Sequence, residues 1–243
     1  MITSDRVSAF DHILGTIPFK GQILNEIACF WFNKTKDIVP NHFISSPDEQ
    51  VLITKKAKTL PVEVIVRQYI TGSLWREYKQ GINGQYGFML PENLKENQEF
   101  DKPILTPSTK AEYGLHDEPI SREKIVNSLV DEKIYSKAEE YALQLFDAGQ
   151  KWANKMGLIL VDTKYEFGKT IEGNIVLIDE IHTPDSSRYF YSDGYKERQL
   201  RGEPQKQLSK EFVRQWLISK NFQGLRGQKI PLMTESYIKS VSS

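Results

Sequence analysis

The sequence predicts an α+β fold in which mostly antiparallel sheets are flanked by helices. Apolar runs with strand spacing and apolar stripes with helical spacing both occur, but they do not alternate in the rhythm of parallel βαβ units. Two apolar runs are joined by Glu172-Gly173-Asn174, a hairpin-like turn that pairs neighbouring strands antiparallel. These observations favour hairpin-linked sheets over a doubly wound parallel sheet.

The first half of the chain is predicted to contain a helix, two strands, a helical turn and a long irregular stretch. The bounds are 22–36 for the helix, 51–53 and 60–70 for the strands, 74–80 for the turn, and 81–119 for the irregular stretch with its short strands. In the second strand Glu63 and Arg67 are an even number of residues apart, so both should point to one face of the sheet. The helix face expected to be buried holds Ile23, Ile27, Phe30 and Trp31.

The second half is predicted to contain helices around the two apolar strands that the hairpin joins. The longest helix should begin at a capping box formed by Ser136 and Glu139 and should stop at Gly157. Its inward stripe is expected to comprise Ala138, Tyr141, Ala142, Leu145, Phe146, Gly149, Trp152, Ala153 and Met156. Shorter helices are predicted at 121–130, at 208–219 with Phe212, Val213, Trp216 and Leu217 inward, and near Thr234.

The composition narrows the class of protein. The chain has 243 residues, of which 39% are hydrophobic, so a sizeable core can form. Its 32 basic residues balance 32 acidic residues, which argues against a general binder of nucleic acid or membrane surfaces. The single cysteine, Cys29, lies in an apolar helix, as expected of an inert buried thiol in a reducing compartment. There is neither a signal-peptide pattern nor an apolar run of membrane-spanning length, so the expected location is the cytoplasm.

Apolar runs at 158–161 and 175–178 lead directly into acidic residues. The acids are Asp162 and Glu166 after the first run, and Asp179 and Glu180 after the second. Because a carboxylate at the mouth of a core is costly unless it is paired or bound to metal, these acids indicate a site. A divalent metal with a polyphosphate is the simplest occupant. The alternative is a set of surface carboxylates paired with Lys164 and Lys169.

Three further segments combine hydroxyl groups with a cation in a turn, which suits the binding of phosphate or carboxylate. They are Asp185-Ser186-Ser187-Arg188, Arg67 with Thr71-Gly72-Ser73, and Thr106-Pro107-Ser108-Thr109-Lys110. The alternatives are an ordinary turn capped by Asp185, a strand-to-helix turn with Ser73 as N-cap, and a plain loop. No HExxH, CxxC, GxSxG, GxxxxGK[ST] or GxGxxG pattern occurs, which argues against zinc sites, serine hydrolases, P-loop NTPases and Rossmann dehydrogenases.

Together these segments resemble the family of phosphoribosylaminoimidazole-succinocarboxamide synthase, also called SAICAR synthetase. Residues 60–67 with Thr71-Gly72-Ser73 resemble its first signature, and residues 160–168 resemble its second. Further blocks match in the same order at 5–11, 20–25, 106–110 and 179–188. The resemblance runs from Thr3 to about Ser242, and it implies an ATP-grasp-like fold.

The resemblance implies an ATP-dependent ligase of purine biosynthesis that uses Mg²⁺. L-aspartate would be joined to the carboxylate of 5-amino-1-(5-phosphoribosyl)imidazole-4-carboxylate through an acyl phosphate, giving SAICAR, ADP and phosphate. Such chemistry needs charge neutralisation and exclusion of water. The implied partners are these small-molecule substrates, with neither nucleic acid nor membrane, and the implied assembly is a monomer or a small homo-oligomer.

The resemblance also implies roles for single residues. Asp179 and Glu180 would hold the metal and, with Lys164, would carry out catalysis. The implied ATP contacts are Lys56 to Leu60 through the backbone, Glu63, Asp162 and Lys164. The implied substrate contacts are Arg67, Ser73, Ser108, Lys110, Asp185, Ser187, Arg188 and Arg214.

One departure from the family's pattern concerns the ends of the chain. In the family, a small β-domain with a Gly- and Lys-rich lid over the ATP phosphates precedes the matching segments. We therefore expect residues 1–58 to be the remnant of a truncated amino-terminal subdomain. Residues 59–243 would be the main ATP-grasp and substrate-binding domain, with its last helix cut. The alternative functions are a catalytically impaired, ribonucleotide-binding fragment of the same fold and a phosphotransferase that acts on a sugar phosphate.

Overall fold

The computed structural model describes residues 1–10, 12–110, 117–225 and 227–242, and it confirms the mixed α+β architecture. The strands are β1 (Arg6–Ala9), β2 (His12–Thr16), β3 (Phe43–Asp48), β4 (Val51–Thr54), β5 (Ala57–Tyr69), β6 (Glu99–Leu105), β7 (Ser108–Thr109), β8 (Leu158–Thr170), β9 (Ile175–Ile178), β10 (Ser187–Tyr191) and β11 (Gln207–Leu208). The helices are α1 (Lys20–Thr35), α2 (Gly72–Lys79), α3 (Arg122–Ser128), α4 (Glu132–Lys155), α5 (Tyr195–Arg201), α6 (Glu211–Ser219) and α7 (Glu235–Ser242). Asp11 of the 5–11 block and residues 111–116 of the predicted irregular stretch lie outside the described residues. Within the described ranges, no helix is long and apolar enough to cross a membrane.

A seven-stranded sheet organises the fold, and its two longest strands, β5 and β8, pair antiparallel at its centre. The main path runs β11-β10-β8-β5-β6, while β7 pairs with β5 and β9 pairs with β8. The predicted hairpin joins β8 to β9, where the Thr170 N–H donates to the Asn174 carbonyl oxygen at 2.9 Å. Gly173 turns the chain there with φ 90, a conformation that glycine adopts without strain.

Helix α4 packs against one face of the central sheet and forms most of the core with it. Val62, Val64 and Val66 of β5 and Tyr165 and Phe167 of β8 point towards the helix. The helix buries Tyr135, Ala138, Ala142, Leu145, Phe146, Gly149 and Ala153, which confirms most of the predicted stripe. Met156 is exposed, contrary to prediction, because it lies past the end of the helix at the C-cap.

Helix α1 buries a different face from the one that its spacing predicts. Ile23 is 52% exposed and Phe30 is 46% exposed, whereas Trp31 is buried as predicted. The buried face consists of Gly21, Asn25, Ala28, Trp31, Phe32 and Thr35. The Asn25 amide nitrogen donates to the Glu49 carbonyl oxygen at 2.9 Å, whereas Asn25 Oδ1 has no hydrogen-bond partner among the described residues. Apolar residues lie on more than one side of α1, so tertiary packing decides which side is buried.

The β1–β2 hairpin packs against the carboxyl-terminal helices rather than against the main core. This second core comprises Val7, Ala9, Leu14, Ile17, Val213, Leu217, Phe222 and Met233. Val213 and Leu217 of α6 are buried as predicted, but Phe212 is exposed at the edge of a surface groove, so that prediction was wrong. Strand β5 runs without a break through residues 58 and 59, where the sequence analysis divides the chain, and the division stays a prediction.

Helix α4 begins one turn earlier than the capping box predicts. Asp131 is its N-cap, and the Asp131 carboxylate accepts from the N–H groups of Lys133 at 3.0 Å and Ile134 at 3.3 Å. The Ser136 hydroxyl instead accepts from the Arg122 guanidinium at 2.8 Å. The capping-box pattern is therefore a sequence coincidence inside the helix.

We expect Asp131→Ala to lower the free energy of unfolding by about 1 kcal/mol, because the first turn loses its capping acceptor. Ser136→Ala should change it by less than about 0.5 kcal/mol, since only an exposed contact is lost. Urea unfolding of both variants measures this difference. A larger loss for Ser136→Ala than for Asp131→Ala would restore the predicted helix start.

Candidate active site

Alternate residues of the two central strands build the floor of a polar cleft on the face opposite α4. The antiparallel register places Glu63 opposite Glu166, Ile65 opposite Lys164, and Arg67 opposite Asp162. Because strand side chains alternate, these six point to one face while the intervening residues fill the core. The predicted common face of Glu63 and Arg67 is confirmed. The part of the cleft around Arg67, Asp162 and Lys164 has a volume of about 450 Å³.

The cleft gathers most of the residues that the sequence analysis singled out. Its lining includes Arg67, Ser73, Asp162, Lys164, Asp185, Ser187, Arg188 and Arg214. Glu63, Ser108, Lys110 and Asp179 adjoin it through contacts with Lys164 or its partners. Lys56 and Leu60 lie apart from it, since Lys56 borders a different surface groove and the Leu60 side chain is buried in the core.

One end of the cleft is cationic because two arginines share a single buried carboxylate. Asp162 Oδ2 accepts from Arg67 Nη1 at 3.0 Å and from Arg188 Nη1 at 3.2 Å. Arg67 also donates to Thr106 Oγ1 at 2.7 Å and to Ser73 Oγ at 3.2 Å. One carboxylate offsets only one guanidinium, so the cluster keeps a net positive charge and suits an anion.

Gly72 makes room for the Arg188 guanidinium. It has φ +60, and a Cβ built on it would lie 2.5 Å from Arg188 Nη2 and 2.6 Å from Nη1. The predicted phosphate-binding turn Thr71-Gly72-Ser73 therefore serves two purposes, since Ser73 contacts Arg67 while Gly72 lets Arg188 approach. Any side chain at position 72 would displace the arginine.

Lys164 occupies the middle of the cleft between acids. Its Nζ lies 2.8 Å from Glu63 Oε1, 2.6 Å from Glu166 Oε1 and 4.0 Å from Asp179 Oδ2. Burial alone would lower the pKa of Lys164, but the carboxylates of Glu166 and Glu63 outweigh it and raise that pKa. Lys164 is therefore a fixed cation and not a proton acceptor.

Glu166 is held as a carboxylate by two lysines, Lys164 and Lys110. Burial favours its neutral form, yet these cations lower its pKa to about 2. Glu166 lies opposite Ile178 in the β8–β9 pair, next to Asp179, and the carboxyl groups of Glu166 and Asp179 interact. Glu166 is predicted from the sequence as an acid after the first apolar run but without a role of its own, although its even spacing from Asp162 and Lys164 places it on the same face.

The other end of the cleft is acidic. Burial, followed by repulsion from Asp179 and Asp185, raises the pKa of Glu180 to about 7 despite a hydrogen bond from Thr183. Burial and the Glu166 carboxylate likewise raise the pKa of Asp179, whose backbone has φ 67. No group of three or more His, Cys, Asp or Glu residues in the described part of the chain is arranged as a complete metal site. Two adjacent acids short of a cation nevertheless fit Mg²⁺, which takes few protein ligands beside water and phosphate.

Asp185 is an ion-paired residue at the rim of the cleft. Lys20 Nζ lies 2.8 Å and Lys210 Nζ 3.3 Å from Asp185 Oδ2. Burial opposes ionisation, but Lys210 and Lys20 together lower the pKa of Asp185. Asp185 is a predicted site residue, but neither lysine is predicted as its partner. Lys20 stands 165 residues away, so spacing carried no signal for this pair.

Comparison with known proteins connects this geometry to one enzyme family. A family model described as SAICAR synthetase matches residues 1–228. The chain belongs to the SAICAR synthetase family. A phosphoribosylaminoimidazole-succinocarboxamide synthase of Bacteroides thetaiotaomicron is 54% identical over 244 residues, covering 100% of this chain and 77% of the relative. The enzyme of that name from Legionella pneumophila (strain Paris) is 47% identical over 223 residues, covering 90% and 71%.

Solved structures agree with the SAICAR synthetase assignment. A SAICAR synthase from Saccharomyces cerevisiae complexed with SAICAR superposes with a TM-score of 0.81 at 35% identity, covering 99% of this chain and 83% of that one. A type-2 SAICAR synthetase in complex with ADP gives a TM-score of 0.71 at 29% identity, covering 96% and 92%. The ATP-grasp-like fold is thereby confirmed, and this chain is a ligase of purine biosynthesis from a family that uses ATP.

We expect Gly72→Ala to weaken anion binding at the cationic end by at least about tenfold, because the added Cβ displaces Arg188 and its charge-assisted hydrogen bonds. Calorimetry with ribose 5-phosphate measures the affinity. Gly81→Ala is the matched control, since Gly81 also has a positive φ of +75 but nothing lies within 4 Å of its Cβ position. Equal losses in both variants would mean that backbone strain, and not Arg188, is responsible.

Proposed function

We propose that this protein joins L-aspartate to the carboxylate of 5-amino-1-(5-phosphoribosyl)imidazole-4-carboxylate, with ATP as co-substrate and Mg²⁺ as the metal. The products are SAICAR, ADP and phosphate. The observation that carries the proposal is the order of charge along β8. Asp162 with two guanidinium groups lies at one end, Lys164 in the middle, and Glu166 beside Asp179 at the other.

This order of charge fits a substrate with two different ends. Alternate residues of a strand are about 7 Å apart, so the cationic and acidic ends are separated by about 13 Å. The ribonucleotide carries a phosphate at one end and a ring carboxylate at the other. Its phosphate suits the arginine cluster, which places its carboxylate near Lys164 and the acids.

The cationic end is proposed to bind the 5′-phosphate. Arg67 and Arg188 supply charge, while Ser73 and Arg214 line the same cleft and add donors. Asp162 is already engaged by both arginines, so we assign it the positioning of these side chains rather than the ATP contact that the resemblance implies. Asp185 similarly orients Lys20 and Lys210 at the rim.

The acidic end is proposed to hold Mg²⁺ through Asp179 and Glu180, with Glu166 at its side. A Mg²⁺ ion held by these carboxylates would supply charge neutralisation for the phosphates of ATP. Lys164 adds a fixed positive charge that lowers the repulsion between the substrate carboxylate and those phosphates while the acyl phosphate forms. The carboxylates of Glu166 and Glu63 raise the pKa of Lys164, which favours this electrostatic role over that of a base for the amine of L-aspartate.

The remaining predicted contacts complete the proposal. Ser108 donates to Glu63 Oε2 at 3.4 Å and Lys110 pairs with Glu166, so both reach the region of the reacting carboxylate and the aspartate. Lys56 lies between β4 and β5, and residues 57–60 begin β5. This stretch would meet adenine through its backbone, since the Leu60 side chain is buried in the core. Glu63, held by Lys164, would border the nucleotide.

The decisive experiment is a coupled assay of ADP release with Mg·ATP and the carboxyaminoimidazole ribonucleotide, with and without L-aspartate. We expect ADP release that depends on aspartate, because the amine is needed to discharge the acyl phosphate. ADP release without aspartate would favour a phosphotransferase. No release, with ribonucleotide binding retained in calorimetry, would favour the catalytically impaired fragment.

We expect Glu180→Gln to lower kcat by at least about a hundredfold with little change in fold, because a metal ligand is lost while side-chain volume is kept. Excess Mg²⁺ should recover part of the activity. Glu172→Gln in the exposed β8–β9 hairpin is the control and should leave kcat unchanged. Near-normal turnover of Glu180→Gln, with a large loss for Glu166→Gln, would move the metal to Glu166 and Asp179.

A further inference from the structure

The segment from Asp179 to Arg188, which comprises the connection between β9 and β10 and the first two residues of β10, carries five of the predicted site residues. They are Asp179, Glu180, Asp185, Ser187 and Arg188. Two non-glycine residues of this segment, Asp179 with φ 67 and His182 with φ 54, adopt the left-handed conformation. A non-glycine residue keeps this strained conformation only where the surrounding structure stabilises it.

His182 anchors this segment in the core behind the cleft. Its side chain is buried, and its Nε2 lies 2.6 Å from the Tyr165 hydroxyl. Its ring meets Trp31 edge to face, with centroids 4.4 Å apart, and its carbonyl oxygen accepts from the Tyr189 hydroxyl at 2.9 Å. One residue of the segment is thus gripped by side chains from α1, β8 and β10.

Gly149 in the middle of α4 leaves room for the His182 ring. A Cβ built on Gly149 would lie 2.5 Å from His182 Cε1 and 2.9 Å from His182 Nε2. Glycine weakens a helix interior, so its presence in the middle of α4 needs a packing reason. The close approach of His182 supplies that reason.

The Tyr165 hydrogen bond is the polar contact on which the buried imidazole depends. Within the described part of the chain, Nδ1 of His182 has no hydrogen-bond partner, so Nε2 makes the ring's one such contact. A buried polar group without a partner is costly, whereas replacing both partners by apolar groups of similar shape is nearly neutral. Tyr165 and His182 should therefore behave as a unit.

We propose that the Tyr165–His182 pair is a positioning device that ties the Asp179–Arg188 segment to the catalytic strand. Tyr165 lies between Lys164 and Glu166 and points to the opposite face of β8. The strand therefore presents the site residues on its cleft face and binds the Asp179–Arg188 segment through its core face. His182 follows Glu180 by two residues, so a shift of its ring moves the proposed metal ligands directly. This inference rests on the proposed function, and neither residue touches substrate.

The test is a double-mutant cycle of Tyr165→Phe, His182→Leu and the combined variant, in the full chain. Each single variant should lower kcat about tenfold and raise the Mg²⁺ concentration for half-maximal activity, because small misplacements of catalytic groups are costly. The ribonucleotide Kd from calorimetry should rise less, since Arg67 is anchored separately. The combined variant should recover to within about threefold of wild type.

Two controls separate positioning from general stability. Tyr135→Phe removes another buried hydroxyl, one that has no partner among the described residues, and should leave kcat unchanged. Ile125→Val, in α3, removes one methylene group from the same core and should lower the melting temperature without changing the Mg²⁺ dependence of activity.

The inference would be overturned if the single variants had the same kinetics as Ile125→Val, or if the combined variant were less active than either single variant. Loss of aspartate-dependent turnover in the wild type would overturn the proposed function, and this inference with it.

Discussion

The pairing of β5 with β8 is the constraint on which the rest of this protein depends. In one antiparallel register, Val62, Val64 and Val66 face α4 while Glu63 and Arg67 face the cleft. A slip of one residue would turn every valine to solvent and every charge into the core. The burial of the core therefore determines the position of the site, and the two cannot be varied independently.

Charge pairing explains how the cleft can hold so many buried ions. Asp162 lies between Arg67 and Arg188, and Lys164 lies between Glu63 and Glu166, so each central charge has opposite partners within hydrogen-bonding distance. Such pairs offset the desolvation of their members. The balance fails at Asp179 and Glu180. Burial and repulsion from Glu166 raise the pKa of Asp179, and burial and repulsion from Asp179 and Asp185 raise the pKa of Glu180. The acidic end is where an added cation relieves the most unfavourable electrostatics.

The spacing of apolar residues in the sequence predicts the central strands well and predicts the buried faces of the helices less well. Alternation in 60–70 and the apolar runs before Asp162 and Asp179 predicted the central strands, because a buried sheet demands such patterns. The same reasoning failed for α1, where Ile23 and Phe30 lie exposed while Asn25 is buried. Several faces of that helix are apolar, and a buried amide is acceptable only because the 46–49 segment offers it partners.

The sequence by itself determined the family, the strand faces and the chemical types in the site, because motifs and period-two spacing are local properties. Only the tertiary structure decided which charges neutralise which. Lys20 pairs with Asp185 across 165 residues, and Arg67 pairs with Asp162 across 95. The tertiary structure also decides that Tyr165 pairs with His182, that His182 packs against Gly149, and that Arg188 packs against Gly72. Contacts between distant segments depend on packing in three dimensions, for which a single sequence holds no periodic signal.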